Sequence, residues 1–144
     1  MSEKVFLDSM IFIYLFEEDS RYSKKVKRLF ENIEDGKISA VTSIITPLEV
    51  LSTAKLEKDL DKLLAFSRFF QKTPNLTVID VNWEIMEKAA YLRRRNAHLR
   101  TPDALQIATA IITGSKVFIT NDEKLIKIKT ESLVQSSTLI ALAT

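Results

Sequence analysis

The sequence predicts a three-layer α/β/α domain with a central parallel sheet of four to five strands. Two observations carry this expectation. Short β-rich apolar runs (KVFLD, KISAVTS, LTVIDV and KVFIT) alternate along the chain with longer segments of helical periodicity. The total of 144 residues suits one domain, 1–144, with a single sizeable core.

Taken in order, KVFLD is a first strand and SMIFIYLFEED supplies one or two helical turns. Over 20–35, Val26, Leu29, Phe30 and Ile33 recur at helical spacing, and Gly36 offers a stop. KISAVTS is a second strand. IITPLEVLSTAKLEKD is expected to be one helix, and DLDKLLAFSRFFQK another with Leu60, Leu63, Leu64 and Phe66 turned inward. LTVIDV is a third strand, NWEIMEKAAYLRRRN a helix, 101–114 a further helix, and 116–120 a fourth strand that reads as buried. SLVQS is a candidate fifth, edge strand. Phe66, Phe69 and Phe70 are expected in the core, although a helical aromatic face could also receive a partner helix. Trp83 is expected in the core or packed at a helix start.

Composition excludes several classes. There is no cysteine, so disulfides, thiolate zinc sites and a cysteine nucleophile are ruled out. Two glycines leave no glycine-rich phosphate loop. No apolar run reaches the ~18 residues of a membrane span, and Glu3 and Asp8 spoil a secretory leader; the cytoplasm is the expected compartment. A net charge of +2 from 21 basic and 19 acidic residues is too balanced to mark a nucleic-acid binder by bulk charge. Local patches still count.

Ligands of parallel α/β sheets gather outside the carboxyl ends of the strands. Four acids are placed for that rim. Asp8 closes strand one, Glu49 lies early in the helix after strand two, Asp103 opens the helix before strand four, and Asp122 follows that strand. Each also has a capping explanation. Asp8 could cap the next helix. TPLE matches a capping box with Thr46 as cap and Glu49 reaching back, although Ser43 could equally start that helix. In TPDA, Thr101 could cap while Asp103 complements the helix dipole. Asp122 could cap EKLIKI. Together, however, clustered carboxylates repel and raise one another's pKa, and a hard divalent cation such as Mg2+ or Mn2+ would offset that repulsion. The chemistry such a site suits is phosphodiester hydrolysis.

The segments VFLDSMIFIYLF, TSIITPLEVL, RTPDALQIATAI and VFITNDEKL, in this order, resemble the signature segments of PIN-domain nucleases, and most closely the VapC-type toxins of prokaryotic toxin–antitoxin pairs. The resemblance implies a Mg2+- or Mn2+-dependent endoribonuclease with Asp8, Glu49, Asp103 and Asp122 around the metal. It implies that Ser9 is the small hydroxyl residue after the first acid, and that Thr120 holds the Asp122 carboxylate by hydrogen bonding. It further implies an RNA substrate, a small antitoxin protein as partner, and a homodimer built through the early helices. Met10 stands where many relatives carry Asn.

Two basic stretches remain. YLRRRNAHLR places Arg93, Arg94, Arg95, His98 and Arg100 before Asp103, as a solvated helix face or as a phosphate clamp. SRYSKKVKRLF forms a second basic face. His98, the only histidine, is expected at the surface. An aspartyl-phosphate phosphatase would want a second acid at position 10, which is Met, and a phospho-receiver would want more acids beside Asp8. The non-catalytic alternative is a PIN-like module that binds RNA or protein without cutting.

Overall fold

The computed structural model describes residues 3–126, 128 and 135–138. Its centre is a wholly parallel sheet of five strands in the order β3-β2-β1-β4-β5. The strands are β1 (Lys4–Leu7), β2 (Ser39–Ser43), β3 (Leu76–Ile79), β4 (Val117–Thr120) and β5 (Gln135–Thr138). The fifth strand starts near the end of the expected SLVQS run, whose residues 132–134 lie outside the described ones.

Strand residues alternate between two cores, as the two-residue repeat of a strand requires. Val5, Leu7, Ala40 and Ile119 face one side, where α1 (Ser9–Phe16), α2 (Ser23–Glu34), α3 (Ile45–Leu51) and α4 (Leu60–Lys72) contribute Ile11, Phe12, Val26, Phe30, Val50 and Phe70. Phe6, Val41 and Phe118 face the other, against Ile85, Ala89 and Leu92 of α5 (Trp83–Arg95) and Ala104, Ile107 and Ala108 of α6 (Thr101–Ile112). Phe6 and Phe118 are register partners, and their rings stack at 5.1 Å. Phe12 is the hub of the first core, with the rings of Phe16, Phe30, Phe69 and Phe70 between 4.9 and 6.5 Å away. This is the three-layer architecture expected. No helix among the described residues is long and apolar enough to cross a membrane.

Three expectations fail for local reasons. The single helix expected over 44–59 is broken: α3 ends at Leu51 and a 3-10 helix occupies Ala54–Lys58. Ser52 Oγ and Thr53 Oγ1 donate to the carbonyls of Leu48 and Val50, so side chains take acceptors that a continuing helix would use. In α4, Leu60 and Leu64 are 64% and 54% exposed, not inward. The face that packs is the adjoining one, where Phe70 is buried and Phe66 stacks on Phe16 at 4.2 Å. Trp83 is 73% exposed, and its ring N–H donates to Glu87 one turn along α5.

The end of α2 is held from a distance. Gly36 takes a positive φ of 80° after the last turn. Asn75, also at positive φ (63°), donates from Nδ2 to the carbonyls of Ile33 and Glu34 at 2.9 and 3.3 Å. Asn75→Ala removes both bonds and leaves a side chain ill-suited to that backbone. It should cost about 1–3 kcal/mol in urea unfolding. Asn75→Gly, which keeps the backbone freedom, should cost less; equal losses would show that the hydrogen bonds alone matter.

Candidate metal-binding site at the carboxyl rim

From β1 the chain runs outward through β2 to β3 and then crosses back to place β4 on the other side of β1, so the carboxyl ends of β1 and β4 flank the switch point where such sheets open a crevice. Asp8 sits there, 6% exposed. Its N–H donates to the carbonyl of Ile119, which carries the β1–β4 pairing one residue further. One carboxylate oxygen accepts from the Ser9 N–H at 2.6 Å, capping α1, and the other accepts from Thr120 Oγ1 at 2.6 Å. The capping reading and the site reading of Asp8 are both satisfied by one geometry.

Thr120 does not hold the Asp122 carboxylate as expected. Its hydroxyl donates to Asp8 and accepts from the Asp122 N–H at 3.0 Å, so it ties the two acid-bearing segments together through the backbone. The Asp122 carboxylate accepts instead from the Lys124 N–H at 2.9 Å, where it caps the short helix α7 (Glu123–Ile126).

Ser9 faces α3. Its Oγ lies 3.1 Å from Glu49 Oε1 and 3.4 Å from Thr46 Oγ1, and the amide nitrogen of Gln106 reaches it at 2.7 Å. The expected capping box therefore does not form. The helix starts at Ile45, Ser43 Oγ accepts the Ile45 N–H, and Thr46 is buried in the first turn 2.8 Å from the hydroxyl of Thr42. Glu49 reaches across to Ser9 rather than back along its own helix.

Asp103 lies in the first turn of α6, with Pro102 beside it, but Thr101 is inside the helix rather than its cap. The Asp103 carboxylate accepts from Arg100 Nε at 3.3 Å. Asp103 and Asp122 line one hollow of about 600 Å3 together with His98, Arg100, Lys124 and Leu125. The basic stretch thus divides by role. Arg100 and His98 border the hollow, Arg93 donates to the Leu99 carbonyl, and Arg94 and Arg95 lie over the ring of Tyr91.

Burial pushes the Asp8 carboxyl up to about 6 from 3.8, against the bonds from Thr120 and Ser9 and with a further push from Asp103 and Glu49. Three acids from three elements therefore share one electrostatic environment. Among the described residues, no three acidic or histidine side chains are gathered closely enough to form a ready-made metal cage. The donor set is nevertheless all oxygen, and Mg2+ characteristically keeps several waters while using one or two carboxylates, so an open acidic rim of this kind fits it.

The PIN domain family matches this chain over residues 5–131. The chain belongs to the PIN domain family. No curated protein matches it in sequence. Among solved structures, this PIN domain is similar to VapBC2 from Rickettsia felis bound to a promoter DNA fragment (TM-score 0.73, 16% identity, 94% of this chain and 98% of that one). It is also similar to a toxin–antitoxin complex from Klebsiella pneumoniae (0.64, 24%, 90% and 94%). A third is Mycobacterium tuberculosis VapC20, described as a toxin that cleaves the sarcin–ricin loop (0.67, 18%, 84% and 92%). At these identities the likeness establishes the fold.

Of the residues expected in this PIN domain's site, the structure brings Asp8, Ser9, Glu49, Asp103 and Thr120 to one rim, with Asp122 tied on through Thr120. Gln106 and Thr42 were missed, and Thr46, expected only as a helix cap, joins the network through Thr42 and Ser9. One signal was available for Gln106: it lies three residues after Asp103, on the same face of a helix whose inward residues are otherwise small or apolar.

The raised Asp8 carboxyl has a consequence for stability. Between about pH 4 and 6 the folded chain binds more protons here than the unfolded one, so this group's contribution is fully present below its unfolded pKa and is lost as pH rises through about 6. The shift corresponds to about 3 kcal/mol at pH 8. Asp8→Asn should therefore be more stable than the wild type by about 1–3 kcal/mol at pH 8, and no more stable near pH 4. Urea unfolding of both proteins at the two pH values measures this; a gain that does not depend on pH would mean Asp8 is not the strained group.

Proposed function

We propose that this PIN domain is a Mg2+- or Mn2+-dependent endoribonuclease, acting in the cytoplasm as the toxin of a toxin–antitoxin pair. The observation that carries the reading is Asp8, a carboxylate buried at the switch point with two further acids acting on it electrostatically. A stability role would call for one cap and gains nothing from the further repulsion that Asp103 and Glu49 add. Asp8, Glu49, Asp103 and Asp122 would hold the ion, which when bound supplies positive charge to the phosphodiester and makes water a better nucleophile near neutral pH.

The chain's own contribution is to place groups before substrate arrives. Asp8 is fixed by Ser9 and Thr120, so it need not reorient during the reaction. Arg100, His98 and Lys124, on the wall of the hollow shared by Asp103 and Asp122, are placed to meet an RNA backbone. Sarcin–ricin loop cleavage by a neighbour of the same fold supports RNA as the substrate class. The toxin–antitoxin neighbours support an antitoxin partner. Exposed Ile44, Leu48, Leu60 and Leu64 on and beside α3 and α4 offer apolar side chains for such a partner or for a second copy in a homodimer.

The competing reading is a PIN fold that binds RNA or protein without cutting it. The lack of a preformed three-acid cage among the described residues is the observation on its side. Cleavage of single-stranded RNA in Mg2+ or Mn2+, with a chelator control, separates the two.

Asp103→Asn sharpens that test. As a helix-dipole residue alone, Asp103 is worth ~0.3–1 kcal/mol and its loss should spare any activity. As a metal ligand, the same change preserves shape and removes charge, so cleavage should fall by about 100-fold or more. RNA affinity should stay close to that of the wild type, and the metal-free protein should be as stable or more so, because Asp8 loses a repelling neighbour. Cleavage retained within a few-fold returns Asp103 to the status of a cap.

A further inference from the structure

One turn after Asp103, α6 turns a second polar side chain inward. Gln106 is 1% exposed on a helix whose other inward residues are Ala104, Ile107, Ala108, Ala110 and Thr109, the last with its hydroxyl spent on the Leu105 carbonyl of its own helix. Its amide nitrogen donates to Ser9 Oγ at 2.7 Å and to Glu49 Oε1 at 3.1 Å, which uses both amide protons. Ser9 Oγ is 3.1 Å from the same Glu49 oxygen. Glu49 itself lies on the exposed side of α3, yet this oxygen is clamped by groups from α1 and α6.

The other end of the amide is left over. Gln106 Oε1 is buried with no hydrogen-bond partner among the described residues. Reversing the amide would not help, because its carbonyl would then face the Glu49 carboxylate and the NH2 would be the orphan. An apolar residue of similar shape would avoid burying an unpaired acceptor. Gln106 is thus a poor choice for stability and a good one for holding a carboxylate.

We propose that Gln106 is a positioning residue of the metal site, which orients Glu49 directly and through Ser9. The inference rests on the metal-dependent nuclease reading above. Gln106 touches neither ion nor substrate; it sets where a flexible glutamate on the rim of the sheet presents its charge. Residues that orient ligands in this way typically contribute about 10–100-fold to metal affinity or activity.

The test compares wild type, Gln106→Met, Gln106→His, Glu49→Ala and the double variant Gln106→Met/Glu49→Ala. With Mn2+ alone as titrant, Gln106→Met should lose about tenfold or more in affinity, while its melting temperature in chelator stays equal or rises. RNA cleavage should lose kcat with little change in KM, since RNA binding is untouched. Gln106→His keeps a ring N–H donor and should recover most of the Mn2+ affinity. In the Glu49→Ala background, Gln106→Met should have no further effect, because it acts only through Glu49. Wild-type Mn2+ affinity in Gln106→Met, or an equal loss in both backgrounds, would overturn the proposal. A wild-type protein that neither binds Mn2+ nor cuts RNA sinks the nuclease reading instead. Melting shifts in chelator then decide Gln106 by themselves: non-additive shifts with Glu49→Ala support the clamp, and additive shifts overturn it.

Discussion

A carboxylate buried between two parallel strands is the constraint from which the rest of this molecule follows. Asp8 leaves the central strand where water is largely excluded, and desolvation opposes its charge. Two donors offset part of that cost, the Ser9 N–H at the head of α1 and the Thr120 hydroxyl at the end of β4. The first requires a helix to begin at once after β1. The second requires β4 to lie beside β1 in the register that pairs Leu7 with Ile119. The sheet order is thus also the order that keeps Asp8 from being an uncompensated buried charge.

Much of this was legible in the sequence because strand and helix periods are read locally. VFIT is buried on both faces, and so its apolar run is continuous; α2 shows its buried stripe at Val26, Leu29, Phe30 and Ile33 as the spacing demands. Where the expectation failed, a non-local or side-chain competitor decided. Leu60 and Leu64 have the spacing of a core stripe, but α4 presents its phenylalanine face to Phe12 and leaves them outside. The break after Leu51 depends on Ser52 and Thr53 taking backbone acceptors. Periodicity carries no record of that competition.

The acids of the rim were legible as positions but not as partners. Asp8, Glu49, Asp103 and Asp122 each read as a helix cap, and Asp8 and Asp122 do cap. Thr120 was expected to bond a different carboxylate, because its choice of Asp8 depends on β1 and β4 being neighbours across 112 residues of sequence. Gln106 stood out less than any acid, since a lone amide in an apolar helix has no meaning until the hydroxyl it faces is known.

The proton positions around that amide follow from valence. Leu7's carbonyl can only accept, so Thr42, 2.8 Å away and buried, must spend its one hydroxyl proton there. Thr46, 2.8 Å from Thr42, therefore donates to it rather than receiving from it. That leaves Thr46 with no proton for Ser9, so Ser9 must donate, and its nearer acceptor is Glu49 Oε1 at 3.1 Å rather than Thr46 at 3.4 Å. Gln106 then fills the free lone pair on Ser9 and a second one on Glu49. Thr46 and Thr42 thus direct their protons toward the interior carbonyl, while Gln106 and Ser9 direct theirs toward the glutamate. A charged hydrogen-bond acceptor at the rim and a backbone acceptor in the core together leave the network one consistent proton arrangement, which orders the glutamate without any ion present.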